Sequence, residues 1–162
     1  NTRERQAYDP PVAKPFRVGD LWFAGEAAIP TFSIEEMLAP KLRALLHRNK
    51  GRDLVDHSHA LEVFPDLSAV RVVELFGRYL ALSEQAISRA QAEERMFGKL
   101  ERADFLSDVR PLLTADAAGR LDDEAARAAF ISVFAGFIRL LPGHPWANTP
   151  SMIERFGLAG LN

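Results

Sequence analysis

From Ser33 onward, apolar residues recur every three or four positions, and that period predicts helices. Ser33-Ile34-Glu35-Glu36 reads as a capping box, with Ser33 accepting from a backbone N–H and Glu36 reaching back to the cap. The helix it opens should run to Arg48, kinked or split at Pro40, and stop at Asn49-Lys50-Gly51. A second helix is predicted from Arg52 to Val63, ending before Pro65. Ser68 should cap a third helix, to Leu82, with Val70, Val73, Leu75, Phe76 and Leu80 as its apolar face. Ser88 should cap a fourth, to Arg102, and Phe105 to Leu113 reads as a short element broken at Pro111. Asp122-Asp123-Glu124 places acid at the start of what should be the longest helix, ending at Leu141 before Pro142-Gly143. The tail from His144 reads as loop, with a short helix from Ser151 to Phe156.

The first thirty residues follow a different pattern. Asp9-Pro10-Pro11 and Lys14-Pro15 interrupt any helix. Phe16–Val18 and Leu21–Phe23 read as short strands, Gly25 as a turn, and Glu26–Phe32 as a returning strand. The expected fold is mainly α (α+β), a helical bundle preceded by a β-hairpin or the edge of a sheet. The boundary falls between residues 1–32 and 33–162.

Composition narrows the function classes. The chain has 162 residues, no cysteine and a net charge of −2. Disulfide frameworks, thiolate metal sites and cysteine nucleophiles are therefore excluded. No run of about 18 apolar residues, as a transmembrane helix needs, occurs, and nothing near Asn1 has the form of a signal peptide. A cytoplasmic address is compatible with these features. The near-neutral charge gives no general reason to expect nucleic-acid binding, and the basic run Arg48, Lys50, Arg52 is short and lacks interleaved aromatics. Trp22, Phe23, Phe76, Phe97, Phe105, Phe130, Phe134 and Phe137 fit core spacing better than cofactor contacts.

The helix from Ser33 carries an anomaly. Ile34, Met37, Leu38, Leu42 and Leu45 gather on one face, with Lys41 inside the arc and Arg48 at its edge. Glu36, Arg43 and His47 fall opposite. A lysine in an apolar stripe must snorkel, pair, or line a cavity. In the next segment Asp53, Asp56, His57 and Ala60 share one helix face. Asp53 could cap the helix or pair with Arg52, or it could position a phosphate or receive a proton. His57 and His59 diverge by about 200° on a helix, which disfavours a metal site with Asp56. Phosphate-binding glycine loops and nucleophile elbows are absent from the sequence.

Thr31-Phe32-Ser33-Ile34-Glu35-Glu36-Met37-Leu38-Ala39-Pro40-Lys41-Leu42-Arg43-Ala44-Leu45, followed by Arg48-Asn49-Lys50-Gly51-Arg52-Asp53-Leu54-Val55-Asp56, resembles the AbiEii-type nucleotidyltransferase family, which includes toxins of type IV toxin–antitoxin and abortive-infection systems. The likeness lies in a lysine-led helix, E-x-L-x-x-K-L-x-A-L, and an R-x-K-x-R-D-x-x-D segment joined by a short gap. The stretches Asn1-Thr2-Arg3-Glu4, Trp22-Phe23-x-Gly25-Glu26 and Ala86–Gln91 are also similar to members of the family. Pro40 departs from the residues usual at its position. The family's Gly-Ser and Asp-x-Asp motif, whose acids hold the metal, is absent from this sequence.

The resemblance therefore implies the C-terminal half of a longer enzyme, with residues 1–32 as a remnant of the catalytic fold. It implies Lys41 and Asp53 as catalytic residues, and Lys41, Arg48, Arg52 and Asp56 as binding residues. It further implies an NTP substrate, an RNA or protein acceptor, a cognate antitoxin, and Mg2+ held by the full-length parent and not by this chain alone. No turnover is expected from the isolated chain. The alternative is a stand-alone helical interaction or regulatory module without catalysis. An exposed apolar patch near Phe16–Phe32 would favour the first reading, and a groove between late helices the second.

Overall fold

Alternating residues build the hairpin. In the computed structural model, which describes residues 7–102, 105 and 123–161, β1 (Val12–Gly19) pairs antiparallel with β2 (Ala24–Thr31). Phe16 lies opposite Ala27, and Lys14 opposite Ile29. The two-residue period puts Val12, Phe16, Val18, Ala27 and Ile29 on one face. Arg17 and Glu26 pair across the other, at 3.2 Å.

Leu21–Phe23, expected as a strand, forms the turn instead. Asp20 Oδ1 accepts from the N–H groups of Trp22 and Phe23, both at 2.7 Å, and Asp20 N–H donates to the Phe23 carbonyl at 2.9 Å. An aspartate that bonds its own downstream backbone sets the turn, so Gly25 belongs to β2. Trp22 is 94% exposed and Phe23 62%, so neither is core. Among the described residues the strands pack on each other and no helix lies broadly against them.

The helices are α1 (Ile34–His47), α2 (Gly51–Val63), α3 (Ala69–Ala81), α4 (Arg89–Leu100), α5 (Asp123–Gly136) and α6 (Thr149–Arg155). With the hairpin they make an α+β fold, as expected. Helix α1 runs through Pro40 without interruption. Proline removes one N–H, the donor for the Glu36 carbonyl, and packing against α2 and α3 holds the helix on both sides of it.

Only half of the first capping box forms. Ser33 Oγ accepts from Glu36 N–H at 3.1 Å, but the Glu36 carboxylate turns inward. It accepts from Tyr8 N–H (2.6 Å), Asp9 N–H (2.8 Å) and the Tyr79 hydroxyl (2.6 Å), and Glu36 is buried. Charge-assisted bonds of this kind are among the strong ones. They fasten the chain before the hairpin to α1 and α3, and the Arg71–Asp9 ion pair reinforces the junction. A complete box forms at Ser88, with Gln91 as the returning side chain.

The faces of two helices are rotated from their expected positions. Val72, Leu75, Phe76, Tyr79 and Leu80 are buried on α3, while Val70 is exposed. On α1 the buried set is Leu38, Ala39, Leu42, Leu45 and Leu46, and Met37 is exposed. Phe76, Phe97, Phe130, Phe134 and Phe137 fill the centre, where the Phe97 and Phe134 rings lie 5.3 Å apart. Helix α5 ends at Gly136 and is no longer than α1; Ile138–Leu140 forms a 3-10 turn. A Cβ at Gly136 would lie 2.9 Å from Leu61 Cδ1, so glycine permits the close approach of α5 to α2. The tail is more ordered than a loop. Glu93 on α4, fully buried, accepts from Arg89 Nε–H (2.7 Å), Trp146 N–H (2.9 Å) and the Thr149 hydroxyl (2.5 Å). The element expected over Phe105–Leu113 and the acid at Asp122 lie outside the described residues, Phe105 apart.

Candidate functional site: the junction of α1 and α2

Three residues, Arg48, Asn49 and Lys50, join α1 to α2, and the two helices pack side by side as an antiparallel pair. Two ion pairs tie them. Lys41 Nζ on α1 meets Asp56 Oδ2 on α2 at 2.5 Å, with both side chains nearly half exposed. Arg48, at the C-cap of α1, forks onto Asp53, Nε–Oδ2 at 2.9 Å and Nη2–Oδ1 at 3.0 Å. Asp53 is 2% exposed, whereas the Arg48 side chain is half exposed.

Lys41 therefore lies at the edge of the buried face of α1, about 100° from Leu42, and faces solvent. It pairs with Asp56 and not with Asp53. Asp53 pairs with Arg48, while Arg52 is exposed on α2. The expected shared face of α2 divides: Asp53, His57 and Ala60 are buried, and Asp56 is exposed.

His57 sits beneath this pair of helices, fully buried against the Phe137 ring at 5.4 Å. Nδ1 lies 2.6 Å from the Asp53 carbonyl and Nε2 3.3 Å from the Leu38 carbonyl. A neutral imidazole donates from one nitrogen only, and the shorter contact assigns the proton to Nδ1. Burial pushes its pKa below the usual 6.5, against the upward pull of the two carbonyls and the Asp53 charge; the Lys41 charge adds to the lowering. The unfolded chain thus binds a proton near pH 6 that the native chain does not, and stability falls as pH drops below about 6.5. Urea midpoints between pH 7.5 and 5.5 should decline with a slope of at most about 1.4 kcal/mol per pH unit from this group. His57→Gln should reduce that slope.

Lys99 of α4 approaches from the other side. Its ammonium, 3% exposed as a residue, donates to the Arg48 carbonyl at 2.8 Å and to Asn49 Oδ1 at 3.1 Å. Burial lowers its pKa to about 8, opposed by the nearby Asp53 charge and aided by Arg95 and Arg102.

The donors do not suit a resident metal ion. Both Asp53 oxygens accept from Arg48, one Asp56 oxygen is against Lys41, and both His57 nitrogens face carbonyls. His59 is exposed, and among the described residues no group of three or more His, Asp or Glu side chains converges as a metal site.

The family model for the AbiEii nucleotidyltransferase toxin of type IV toxin–antitoxin systems matches residues 2–132, most of the chain. The chain belongs to the AbiEii nucleotidyltransferase toxin family. No curated protein and no solved structure matches it. No helix among the described residues of this AbiEii-family chain is long and apolar enough to cross a membrane.

Both apolar surfaces that sequence reading set against each other are present in this AbiEii-family protein. Phe16, Leu21, Trp22, Phe23, Ile29 and Phe32 are exposed on and beside the hairpin. A groove of about 520 Å3 also opens along α3, lined by Val73, Gly77, Ala81, Ile87 and Leu140 among others. Their location therefore does not separate an enzyme part from a module. Sequence reading missed Glu36, Glu93 and Lys99 as buried charges. Glu36 stood out only as an acid at the third helical position, which points to a cap and not to burial. Lys99, fifty residues from its partners, had no signal.

Proposed function

We propose that the α1–α2 junction is the nucleotide-phosphate site of a toxin-type nucleotidyltransferase. Lys41, Arg48 and Arg52 meet the NTP phosphates. Asp56 holds Lys41 extended until phosphate displaces it. Asp53, with both oxygens on Arg48, orients the guanidinium fork toward phosphate. The reaction is attack of an acceptor oxygen on the α-phosphorus: one P–O bond forms, the bond to the β-phosphate oxygen breaks, pyrophosphate leaves and the acceptor hydroxyl loses its proton. Lys41 and Arg48 supply positive charge where negative charge gathers on the departing phosphates. The acceptor in this reading is RNA or protein, and the natural partner is a cognate antitoxin.

The observation that carries the reading is the placement of two carboxylate-held cations on one helical pair, inside the family-matched span. The test is transfer of label from each of four α-labelled ribonucleoside triphosphates to total RNA or to purified antitoxin. Label in an acceptor, with pyrophosphate released, is the expected result. No transfer by the full-length protein and no NTP binding by this chain would overturn it. The groove on α3 favours a second use of the same protein, partner binding, but gives no reason to deny catalysis.

A further inference from the structure

The ammonium of Lys99 lies against the α1–α2 turn. It bridges the Arg48 carbonyl (2.8 Å) and the Asn49 side-chain oxygen (3.1 Å), so it crosses fifty residues of sequence to grip the two residues that end α1. A helix C-terminus carries unsatisfied carbonyls and partial negative charge, and a buried cation there satisfies both. The same residue whose carbonyl Lys99 holds sends its side chain to Asp53. Asp53 in turn bonds His57 through its own carbonyl, and His57 touches the Leu38 carbonyl of α1. One continuous set of contacts therefore runs from α4 through the turn into both helices of the site.

Burying an ammonium is costly, and a methionine or leucine would fill the same space without that cost. The lysine makes sense as a device that fixes backbone. We propose that Lys99 is a positioning residue for NTP binding: by clamping Arg48 and Asn49 from below, it fixes the direction in which the Arg48 guanidinium is presented to phosphate. The inference rests on the phosphate-site reading above and adds a residue that the binding motifs do not contain.

The charged groups around Lys99, among the described residues, are Asp53 of α2, Arg95 on its own helix, Arg102 just beyond it, and His47 near the end of α1. Its pKa lies at about 8. The clamp is therefore mostly charged at pH 7 and loses its proton as pH rises through about 8. NTP affinity should fall over that interval. Fold stability should move the other way. Between pH 8 and 10.5 the unfolded lysine binds a proton that the native one has lost, so stability rises with pH there. A residue serving the fold alone would change stability without a step in affinity.

The experiment is calorimetric binding of ATP, GTP, CTP and UTP, each separately, to the whole chain from pH 7 to 9.5. Wild type should bind its preferred nucleotide several-fold more weakly at pH 9 than at pH 7. Lys99→Met should bind about 10-fold more weakly at pH 7 and show no step. Lys99→Arg, which stays charged, should retain affinity at pH 9. If Lys99→Met binds as wild type while Arg48→Met does not, the positioning role is wrong and the phosphate site stands. If Arg48→Met and Lys41→Met both bind as wild type, the phosphate site falls and the positioning role with it. Should Lys99→Met fail to fold, wild type and Lys99→Arg decide: no step in wild type, or an equal step in both, overturns the proposal.

Discussion

In the full-length protein, Lys41→Met is expected to lower nucleotidyl transfer by about 100-fold or more while changing unfolding free energy by less than about 1 kcal/mol. The two effects separate because of where the side chain sits. The Lys41–Asp56 pair is nearly half exposed at both ends, so water already screens it and its loss is tolerated. Methionine keeps the length and apolar stem that lie along α1. What disappears is a half-exposed point charge at the edge of the junction, and a charge placed against developing phosphate charge would matter far more there than its pair with Asp56 does for the fold. Parallel measurement of label transfer and urea denaturation tests this. Activity retained in Lys41→Met would remove the residue from the site. A loss of activity matched by a loss of several kcal/mol in stability would make it structural.

Arg48→Met should behave in the opposite manner, losing both activity and stability. Asp53 would stay at 2% exposure with neither oxygen paired to the guanidinium. Removing one partner of a buried pair costs about 3–5 kcal/mol, and the half-exposed guanidinium places this case toward the lower end. Replacing both partners, as Arg48→Met with Asp53→Leu, removes the stranded charge, so the double variant should recover most of the lost stability. Activity should not return, because the fork proposed to bind phosphate is still missing. Chemical denaturation of the two single variants and the double gives the coupling directly. A double variant as unstable as the sum of the singles would mean that the fork does not carry the stability of the junction.

The sequence revealed much of this fold. Ser33, Ser68 and Ser88 each cap the helix expected of them, because a hydroxyl before an apolar period has few other uses. Pro65 marked the end of α2, while Gly51, read as part of the turn, is its first helical residue. Other features depend on contacts distant in sequence. Glu36 satisfies donors from Tyr8, Asp9 and Tyr79, and no local pattern specifies that choice over the N-cap. The period of α1 placed Lys41 within an apolar arc because Met37 counted as core; Met37 is exposed, and the true face turns toward Leu46. In the hairpin, hydrophobicity suggested a strand at Leu21–Phe23, but the Asp20 side chain captured two of its N–H groups and made it a turn. At the proposed site, the sequence offered the charged residues but not their pairings. Asp53 had its sequence neighbour Arg52 as the obvious partner, yet the chain reversal at Asn49-Lys50 brings Arg48 instead.

The Glu36 knot has a mechanical corollary. The strand leading into the hairpin is tied at Tyr8 and Asp9 to the first turn of α1, and the strand leaving it runs through Phe32 into Ser33, the cap of that same helix. Both legs of the arm thus stand on one footing. A pull on Trp22, at the far tip, is delivered to the start of α1, and Lys41 lies only about 10 Å further along that rod. Whatever grips the arm has its hand on the shaft that carries the lysine.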